Sequence, residues 1–533
     1  NKTDKIKSQF IKDNIWIFIS SVIENPNFPS QTKDELVTPP NKFGSTCDIS
    51  DNFIKKILKT LDIDNKIDQY IKYIQNVDLV KLDKQKKSNI HGIKKLYDAN
   101  FAGTNKSNLC TLILTEGDSA KTMAITGLGA IPKGNNFYGV FPLRGKLLNV
   151  REATHKQIIN NEEFKNLKTI IGLKTNEKYT KDNISQLRYG SIILMMDADV
   201  DGSHIKGLFI NLIHYFWPSL LDIPGFIKVF ITPAVKVSKN NKVISFYTLE
   251  DYNKWKLSTG SEISRWSIKY YKGLGTNSSV EAKEYFLDLK EHIIGFYNTQ
   301  KSNDAIYLGF AKERADDRKL WLQNYDPTQI PDYTKKNISY FDFINKELIH
   351  FSNYDNIRSI PNLVDGLKPS QRKVLYSAFK RNLITDIKIA QFAGYISEHT
   401  SYHHGEASII GTSIAMAQNF IGSNNINLLV PSGQFGTRLM GGKDHASARY
   451  IFTRLSEITR YIFNIHDDDL LKYLDDDGFL IEPEFYVPIL PTILINGTEG
   501  IGTGYSTFVP KFNVDDIITN IENRINGKKF IGM

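Results

Sequence analysis

The stretch Ser191–His204, SIILMMDADVDGSH, limits what this chain can fold into more than any other. An apolar run from Ser191 to Met196 ends abruptly in aspartates at alternate positions, followed by a glycine. So short a run, closed by a turn signal and followed by a helical pattern, reads as a buried strand. In extended backbone alternate side chains share a face, so Asp197, Asp199 and Asp201 can converge on one cation. Carboxylates that close repel one another unless a metal or protons neutralise them. Asp-x-Asp-x-Asp-Gly also opens an EF-hand loop. That loop needs a preceding helix and a glutamate at its twelfth position, where Leu208 stands. A solvated acidic turn would not need so apolar a strand before it. The pattern predicts a hard-metal site, with Mg²⁺ as the natural occupant.

A second strand, Leu109–Thr115, also finishes in acids, at Glu116-Gly117-Asp118, and a helix follows it. After the aspartates, Ile205, Leu208, Phe209, Leu212, Ile213 and Phe216 keep the spacing of an amphipathic helix that Trp217-Pro218 ends. Strands that finish in acids and feed helices describe an open α/β sheet, which holds ligands beyond the carboxyl ends of its strands. Glu116 is therefore expected beside the aspartates. Lys146 in Pro142–Lys146 and Lys272 in Tyr271–Thr276 each stand next to glycines that let backbone approach a phosphate.

At 533 residues the chain should form several domains. Its 41% hydrophobic and 23% charged content is that of globular protein, and no apolar run is long enough to span a bilayer. Cys47 and Cys110 are too few for a disulfide framework or a zinc site. A net charge of +9 permits a polyanionic partner. The chain begins at Asn1 inside an apparent helix and stops after an unfinished segment, so it reads as part of a longer protein. Asn14–Ile23 is strand-like, and Gln31-Thr32-Lys33 alone would be a surface loop. Residues 48–98, with Lys81, Lys84, Lys86, Lys87, Lys94 and Lys95, read as a solvated linker helix.

After a charged helical stretch (Lys312–Asn324) and a proline-rich break at Pro327–Pro331, the composition shifts. Ile360–Arg381 reads as a turn and then a helix opened by Pro369, with Val374, Leu375, Ala378 and Phe379 on one face. Lys368, Arg372, Lys373, Lys380 and Arg381 crowd its other positions, as in a helix-turn-helix reader of duplex DNA or in plain solvated charge. Tyr402–Glu406 lacks the partners of a zinc site. Gly433–Arg449 is not a Walker A loop, because Thr437 and Asp444 occupy required positions. Gly500–Gly504 is not a dinucleotide fingerprint, and Leu490–Ile495 before it reads as an apolar strand.

Together these residues resemble the breakage-reunion core of type IIA DNA topoisomerases, the eukaryotic branch and its relatives in large DNA viruses more than bacterial gyrase. Glu116–Ala120 and Asp197–Gly202 resemble the acid motifs of the TOPRIM domain, and PLRGKLLNV (Pro142–Val150) and YKGLGT (Tyr271–Thr276) its other signatures. IPNLVDGLKPSQRKVLY (Ile360–Tyr376) resembles the opening of the winged-helix domain, and SARYIFTRL (Ser447–Leu455) the segment with the DNA-attacking tyrosine. Gln31-Thr32-Lys33 resembles the loop that reaches the ATP γ-phosphate. Ser370 stands where cellular enzymes usually have glycine.

The resemblance implies a multidomain α/β and α+β chain. Its parts are the end of an ATPase/transducer region (1–45), a helical linker (46–107), a Rossmann-like TOPRIM domain (108–235) and its extension and connector (236–340). A winged-helix cleavage domain (341–478) and the start of a tower domain (479–533) complete it. It implies Tyr450 as nucleophile, with Arg449 and His403 stabilising the transition state, and Glu116, Asp197, Asp199 and Asp201 as Mg²⁺ ligands. Lys146, Lys272, Lys368, Arg372 and Ile501 become DNA contacts, Ile501 as a wedge between base pairs, and Gln31 and Lys33 contacts to ATP in the full-length enzyme. Double-stranded DNA and a homodimer follow as partners, with no membrane. The location is the nucleus for a cellular source and host cytoplasm for a viral one. A TOPRIM nuclease would have no use for the tyrosine, and a DNA-binding scaffold none for the acids.

Overall fold

The aspartate motif sits on a sheet whose inner strands are buried on both faces. The computed structural model describes residues 18–533 except 30–32, 34, 61–62, 84–89, 91, 241, 272, 403 and 477. Strands β1 (Thr111–Glu116), β2 (Tyr138–Leu143), β3 (Ser191–Met195) and β4 (Ile227–Phe230) run parallel in the order β2-β1-β3-β4. Leu112, Ile113 and Leu114 of β1 and Ile192, Ile193 and Leu194 of β3 are at most 2% exposed. A strand covered on both faces needs an unbroken apolar run rather than alternation, which is what both sequences carry. Each such side chain contributes roughly 1.5–3 kcal/mol by leaving water.

The chain then leaves to build a separate antiparallel sheet from β5 (Val235–Lys239), β6 (Lys242–Phe246) and β7 (Ser267–Tyr270), in the order β6-β5-β7. It returns with β8 (Ile293–Tyr297), antiparallel to β4, and β9 (Asn337–Ser339), completing six strands in the order β2-β1-β3-β4-β8-β9. The helix after the aspartates spans Val200–Phe216 and stops at Trp217-Pro218 as the spacing predicts. Asp199 caps it by accepting a hydrogen bond from the Gly202 N–H at 2.6 Å.

Helices Pro369–Lys380, Ile389–Thr400 and Glu406–Ala417 pack with a small antiparallel sheet of β10 (Ile387–Lys388), β11 (Leu429–Ser432) and β12 (Phe452–Leu455), in the order β10-β12-β11. Three helices with a small sheet are the make-up expected of a winged helix. Val374, Leu375 and Ala378 are fully buried in its core, on the face the sequence pattern selects. Two hairpins follow, β13 (Tyr473–Asp476) with β14 (Phe479–Pro483) and β15 (Thr498–Ile501) with β16 (Ser506–Val509), and then the helix Val514–Ile525.

Two compact units divide the chain. Residues Lys94–Thr154 and Lys178–Met533 form the one just described, and Asn1–Ile93 with His155–Glu177 form the other. In the latter, helices Asp51–Thr60 and Ile63–Asp83 carry the expected helical stretch, and the further helix Glu162–Ile171 brings Lys168, buried, to 2.6 Å from Asp83.

Two expectations fail. Residues 18–23, the described part of the expected Asn14–Ile23 strand, have no regular secondary structure. Leu490–Ile495 is not a strand: Thr492–Ile495 is a helical turn. Pro491 fixes its entry with a φ suited to a helix start, and so short an apolar run does not by itself distinguish helix from strand. Among the described residues no helix is long and apolar enough to cross a membrane.

Candidate functional site

Because β1 and β3 are neighbours, Glu116 at the end of one and Asp197 just past the other meet at the carboxyl edge of the sheet. The Asp197 N–H donates to Glu116 Oε2 at 3.2 Å, and the Leu274 N–H donates to Asp197 Oδ1 at 2.7 Å. Burial, reinforced by the Asp197 charge, pushes Glu116 up to about 7. Burial also raises Asp197 against the opposing Leu274 hydrogen bond. Half-buried acids that resist ionisation mark a place short of positive charge, and an all-oxygen donor set suits a hard divalent cation. Glu116, Asp197 and Asp199 fit such an ion by chemistry and placement, although among the described residues no three donors already close around one point.

Asp201 differs. Expected as a fourth ligand, it instead meets Lys146 Nζ at 2.6 Å and Arg358 Nη1 at 3.0 and 3.1 Å. Burial alone would raise its carboxyl, but hydrogen bonds from these cations hold it below the ordinary value. The four acids line a cavity of about 920 Å³ together with Lys146, Arg358, Tyr354, Lys373 and His404. Tyr354 Oη is 2.9 Å from His404 Nε2, and His404 Nδ1 is 3.7 Å from Asp201 Oδ2. His403 and Lys272 lie outside the described residues, as does Gln31.

The Tyr271–Thr276 loop does something the sequence reading missed. A Cβ on Gly273 would stand 2.9 Å from Asp197 Oδ2, so only glycine lets the loop lie against that carboxylate. Glu281 anchors the loop, accepting from the Tyr271 hydroxyl, from Lys269 at 2.9 Å and from the Ser278 N–H at 2.8 Å. Burial opposes ionisation of Glu281, but these donors outweigh it and lower its pKa to about 2.

Tyr450 is placed quite differently. It is 66% exposed in the turn before β12, with the Arg449 guanidinium 4.9 Å from its ring centroid. Ile451 beside it is 1% exposed and anchors the turn in the helical core. The preceding loop folds on itself, with Gly436 packed so tightly on Gly442 that a Cβ would come within 2.6 Å of it. Neither Tyr450 nor Arg449 lines the acidic cavity. Ile501, 75% exposed, ends β15 at the turn of its hairpin. Lys368 is partly exposed, and Lys33 is exposed with its ammonium 5.9 Å from the centroid of the Phe28 ring.

Arg372, expected on DNA, needs correction. It is 5% exposed and forks onto Asp365 at 2.7 and 3.0 Å, with a further bond to the Leu367 carbonyl at 3.0 Å. Asp365 is fully buried and also accepts from the Tyr486 N–H, so the guanidinium braces the turn before the helix and is withdrawn from solvent. Arg358 and Tyr354 were not singled out from the sequence, and His404 entered there only within the rejected zinc reading of Tyr402–Glu406. Their cavity positions come from folding, and no spacing announces them.

Acids at the carboxyl edge of a parallel sheet, each strand feeding a helix, define a Toprim-type metal-site fold. Residues 111–230 match the Toprim domain, 230–356 the C-terminal associated domain of TOPRIM, 358–533 the A-type subunit of DNA gyrase/topoisomerase IV, and 1–88 DNA gyrase B. DNA topoisomerase 2 of Plasmodium falciparum is 52% identical over 538 residues, covering 99% of this chain and 38% of that protein. Human DNA topoisomerase 2-alpha is 53% identical over 543 residues, covering 99% of this chain and 35% of its own length. The crystal structure of the Plasmodium falciparum topoisomerase II DNA-binding, cleavage and re-ligation domain aligns with a TM-score of 0.70 at 56% identity, over 83% of this chain and 60% of that one. The chain belongs to the type IIA topoisomerases of the eukaryotic type. It spans little more than a third of the length of these curated relatives.

Proposed function

We propose that this chain is the cleavage and religation core of an ATP-dependent type II DNA topoisomerase. In this reading it opens both strands of one duplex, lets another pass, and reseals the first. The observation that carries the reading is the pairing of an exposed Tyr450, its ring beside the Arg449 guanidinium, with a Toprim-type acidic cavity on the same chain.

Tyr450 Oη attacks the scissile phosphorus, the bond from phosphorus to the deoxyribose 3′ oxygen breaks, and the strand end is kept as a 5′-phosphotyrosine. An ordinary phenol ionises near pH 10, so the oxygen must lose its proton with help as it attacks. Arg449, close enough to the ring to lie beside the transferred phosphate, stabilises the phenolate and the charge on the equatorial oxygens, and His403 is assigned the same task. Glu116, Asp197 and Asp199 would hold Mg²⁺, which when bound neutralises the leaving 3′ oxygen. Asp201 would help to hold a second cation if Lys146 and Arg358 let go of it. Religation is the reverse, with the 3′ hydroxyl as nucleophile.

Lys146, Lys272 and Lys368 contact backbone phosphates, which makes affinity salt-sensitive and only weakly selective for sequence. Ile501 is the wedge that bends the cleaved duplex. Because Tyr450 lies outside the cavity of its own chain, we assign it to the acids of a second copy, so the active species is a homodimer. Gln31 and Lys33 belong to ATP sensing in the longer protein, and this stretch alone is expected not to turn ATP over. The nucleus is the assigned location, given cellular relatives; host cytoplasm applies only to a viral source.

Plasmid cleavage with an etoposide-like poison and detergent trapping tests the reading. Linear DNA covalently bound to protein is expected from the wild type with Mg²⁺, and none from Tyr450→Phe or Asp197→Ala. Cutting that survives Tyr450→Phe would mean a nuclease. Binding without Mg²⁺-dependent cutting would mean a scaffold.

A further inference from the structure

Gly500-Ile501-Gly502-Thr503-Gly504 fails as a dinucleotide loop, yet its glycines have a use. A Cβ on Gly500 would lie 2.2 Å from the Ser359 carbonyl oxygen, and one on Gly502 would lie 2.1 Å from Asn356 Oδ1. The hairpin turn therefore rests directly on the last turns of helix Ile349–Ser359, closer than any side chain would permit. Two hydrogen bonds staple it there. Asn356 Nδ2 donates to the Thr503 carbonyl at 3.0 Å, and Thr503 Oγ1 donates to Asp355 Oδ2 at 3.1 Å.

The other oxygen of Asp355 accepts from Arg358 Nη2 at 3.4 Å, and Arg358 Nη1 holds both oxygens of Asp201. A continuous polar chain thus runs from the hairpin that carries Ile501 to the acidic cavity. Its charged members are sheltered, with side chains 21% exposed at Asp355, 24% at Arg358 and 17% at Asp201. Sheltered pairs are screened less by salt and keep their geometry better than surface pairs.

We propose that Asp355 and Thr503 are positioning residues that couple the seat of Ile501 in DNA to the orientation of Asp201, and so to cation binding in the cavity. The inference rests on the cleavage reading above and adds its regulation. While Arg358 grips both oxygens of Asp201, those oxygens are spent. When the hairpin follows the bending duplex, Thr503 moves Asp355, Arg358 re-seats on Asp355, and Asp201 is left with Lys146 alone, which an incoming cation displaces. Wedge insertion and cation binding must then favour each other by one and the same factor. Both are assigned to act through Arg358 rather than on DNA or the reacting atoms.

A double-mutant cycle with Mn²⁺ as an electron-paramagnetic-resonance probe tests this without relying on turnover. Free Mn²⁺ is titrated in the presence of duplex DNA, in a Tyr450→Phe background so that no strand is cut. With the staple intact, Ile501→Ala is expected to raise the Mn²⁺ concentration for half-saturation about fivefold, the low end of usual coupling. In Thr503→Val or Asp355→Asn the same Ile501→Ala change is expected to produce no further shift, and Thr503→Ser, which keeps the hydroxyl, restores the fivefold response. Equal shifts in all backgrounds, or a serine variant that behaves like valine, overturn the proposal. The two staple variants are independent, so misfolding of one leaves the other to decide. Trapping of the wild-type adduct decides the underlying reading separately: an adduct with an additive cycle sinks only the coupling, and a missing adduct sinks the cleavage reading.

Discussion

The acidic cavity and the tyrosine turn are opposite solutions to placing a reactive group. Glu116, Asp197 and Asp201 sit half-buried, held by backbone N–H groups or cations from other segments, while the more exposed Asp199 caps its own helix. Tyr450 projects into solvent, with its anchor one residue away at the buried Ile451. A group that binds its cation within its own chain is served by enclosure. In the proposed reading Tyr450 reaches DNA and another copy's cavity, and for that it has to be presented. The same division separates Arg372, enclosed by Asp365, from Lys368 only four residues before it.

Substitutions can break or sharpen this contrast, since changing an enclosed group should cost stability or site geometry, and changing a presented one should cost only chemistry or binding. The largest expected effect is Arg372→Ala, which leaves Asp365 charged and unpaired and should cost about 3–5 kcal/mol in chemical denaturation, as for other buried ion pairs. A loss under 1 kcal/mol would place Arg372 among the presented residues after all. Tyr450→Phe and Ile501→Ala should stay within about 0.5 kcal/mol of wild type in the same measurement.

Next comes Gly273→Ala. Its methyl would push on the Asp197 carboxylate and misplace it, so Mg²⁺-dependent cleavage should fall about tenfold or more with the melting temperature little changed. Unchanged cleavage would show that the loop does not set Asp197.

A smaller effect concerns pH. Glu281 has its folded pKa lowered to about 2 from an ordinary 4.5, so its contribution is fully present above 4.5 and is lost as pH falls toward 2. Wild type should exceed Glu281→Gln by about 1 kcal/mol at pH 7, after allowance for solvent screening, and the gap should close by pH 2–3 in urea titrations. A gap that widens in acid would reverse the sign. Smallest of all, Lys368→Ala should leave stability within about 0.5 kcal/mol and reduce the slope of log DNA affinity against log salt by about one.

How much was legible in the sequence follows the same line. Of the six sheet strands, β1 and β3 announced themselves because strands buried on both faces need unbroken apolar runs, and the acids because they stand where those runs stop. Val200–Phe216 was readable from its period and from Trp217-Pro218. The described part of Asn14–Ile23, residues 18–23, and Leu490–Ile495 were misread because short apolar runs are ambiguous without their partners, and Pro491 tipped the second into a helical turn. At the site, local motifs pointed to Tyr450 and the acids. Arg358, Tyr354 and His404 enter the cavity only because a helix and a loop distant in sequence fold over it. Arg372 was misassigned because charge on a helix does not reveal which face is buried. Its partner Asp365 was in view, but only the turn at Gly366 brings the two together.

The central claim is that presentation and enclosure are completed across two copies, and one mixed dimer tests it most directly. One protomer carries Tyr450→Phe with its acids intact, the other Glu116→Gln with its tyrosine intact, and each bears a different tag. The expected result with Mg²⁺ and a poison is nicked plasmid covalently bound to the Glu116→Gln protomer alone, and no adduct from a dimer of wild type with the doubly substituted chain. Adduct only from that second dimer would place each tyrosine with the acids of its own chain and contradict the account.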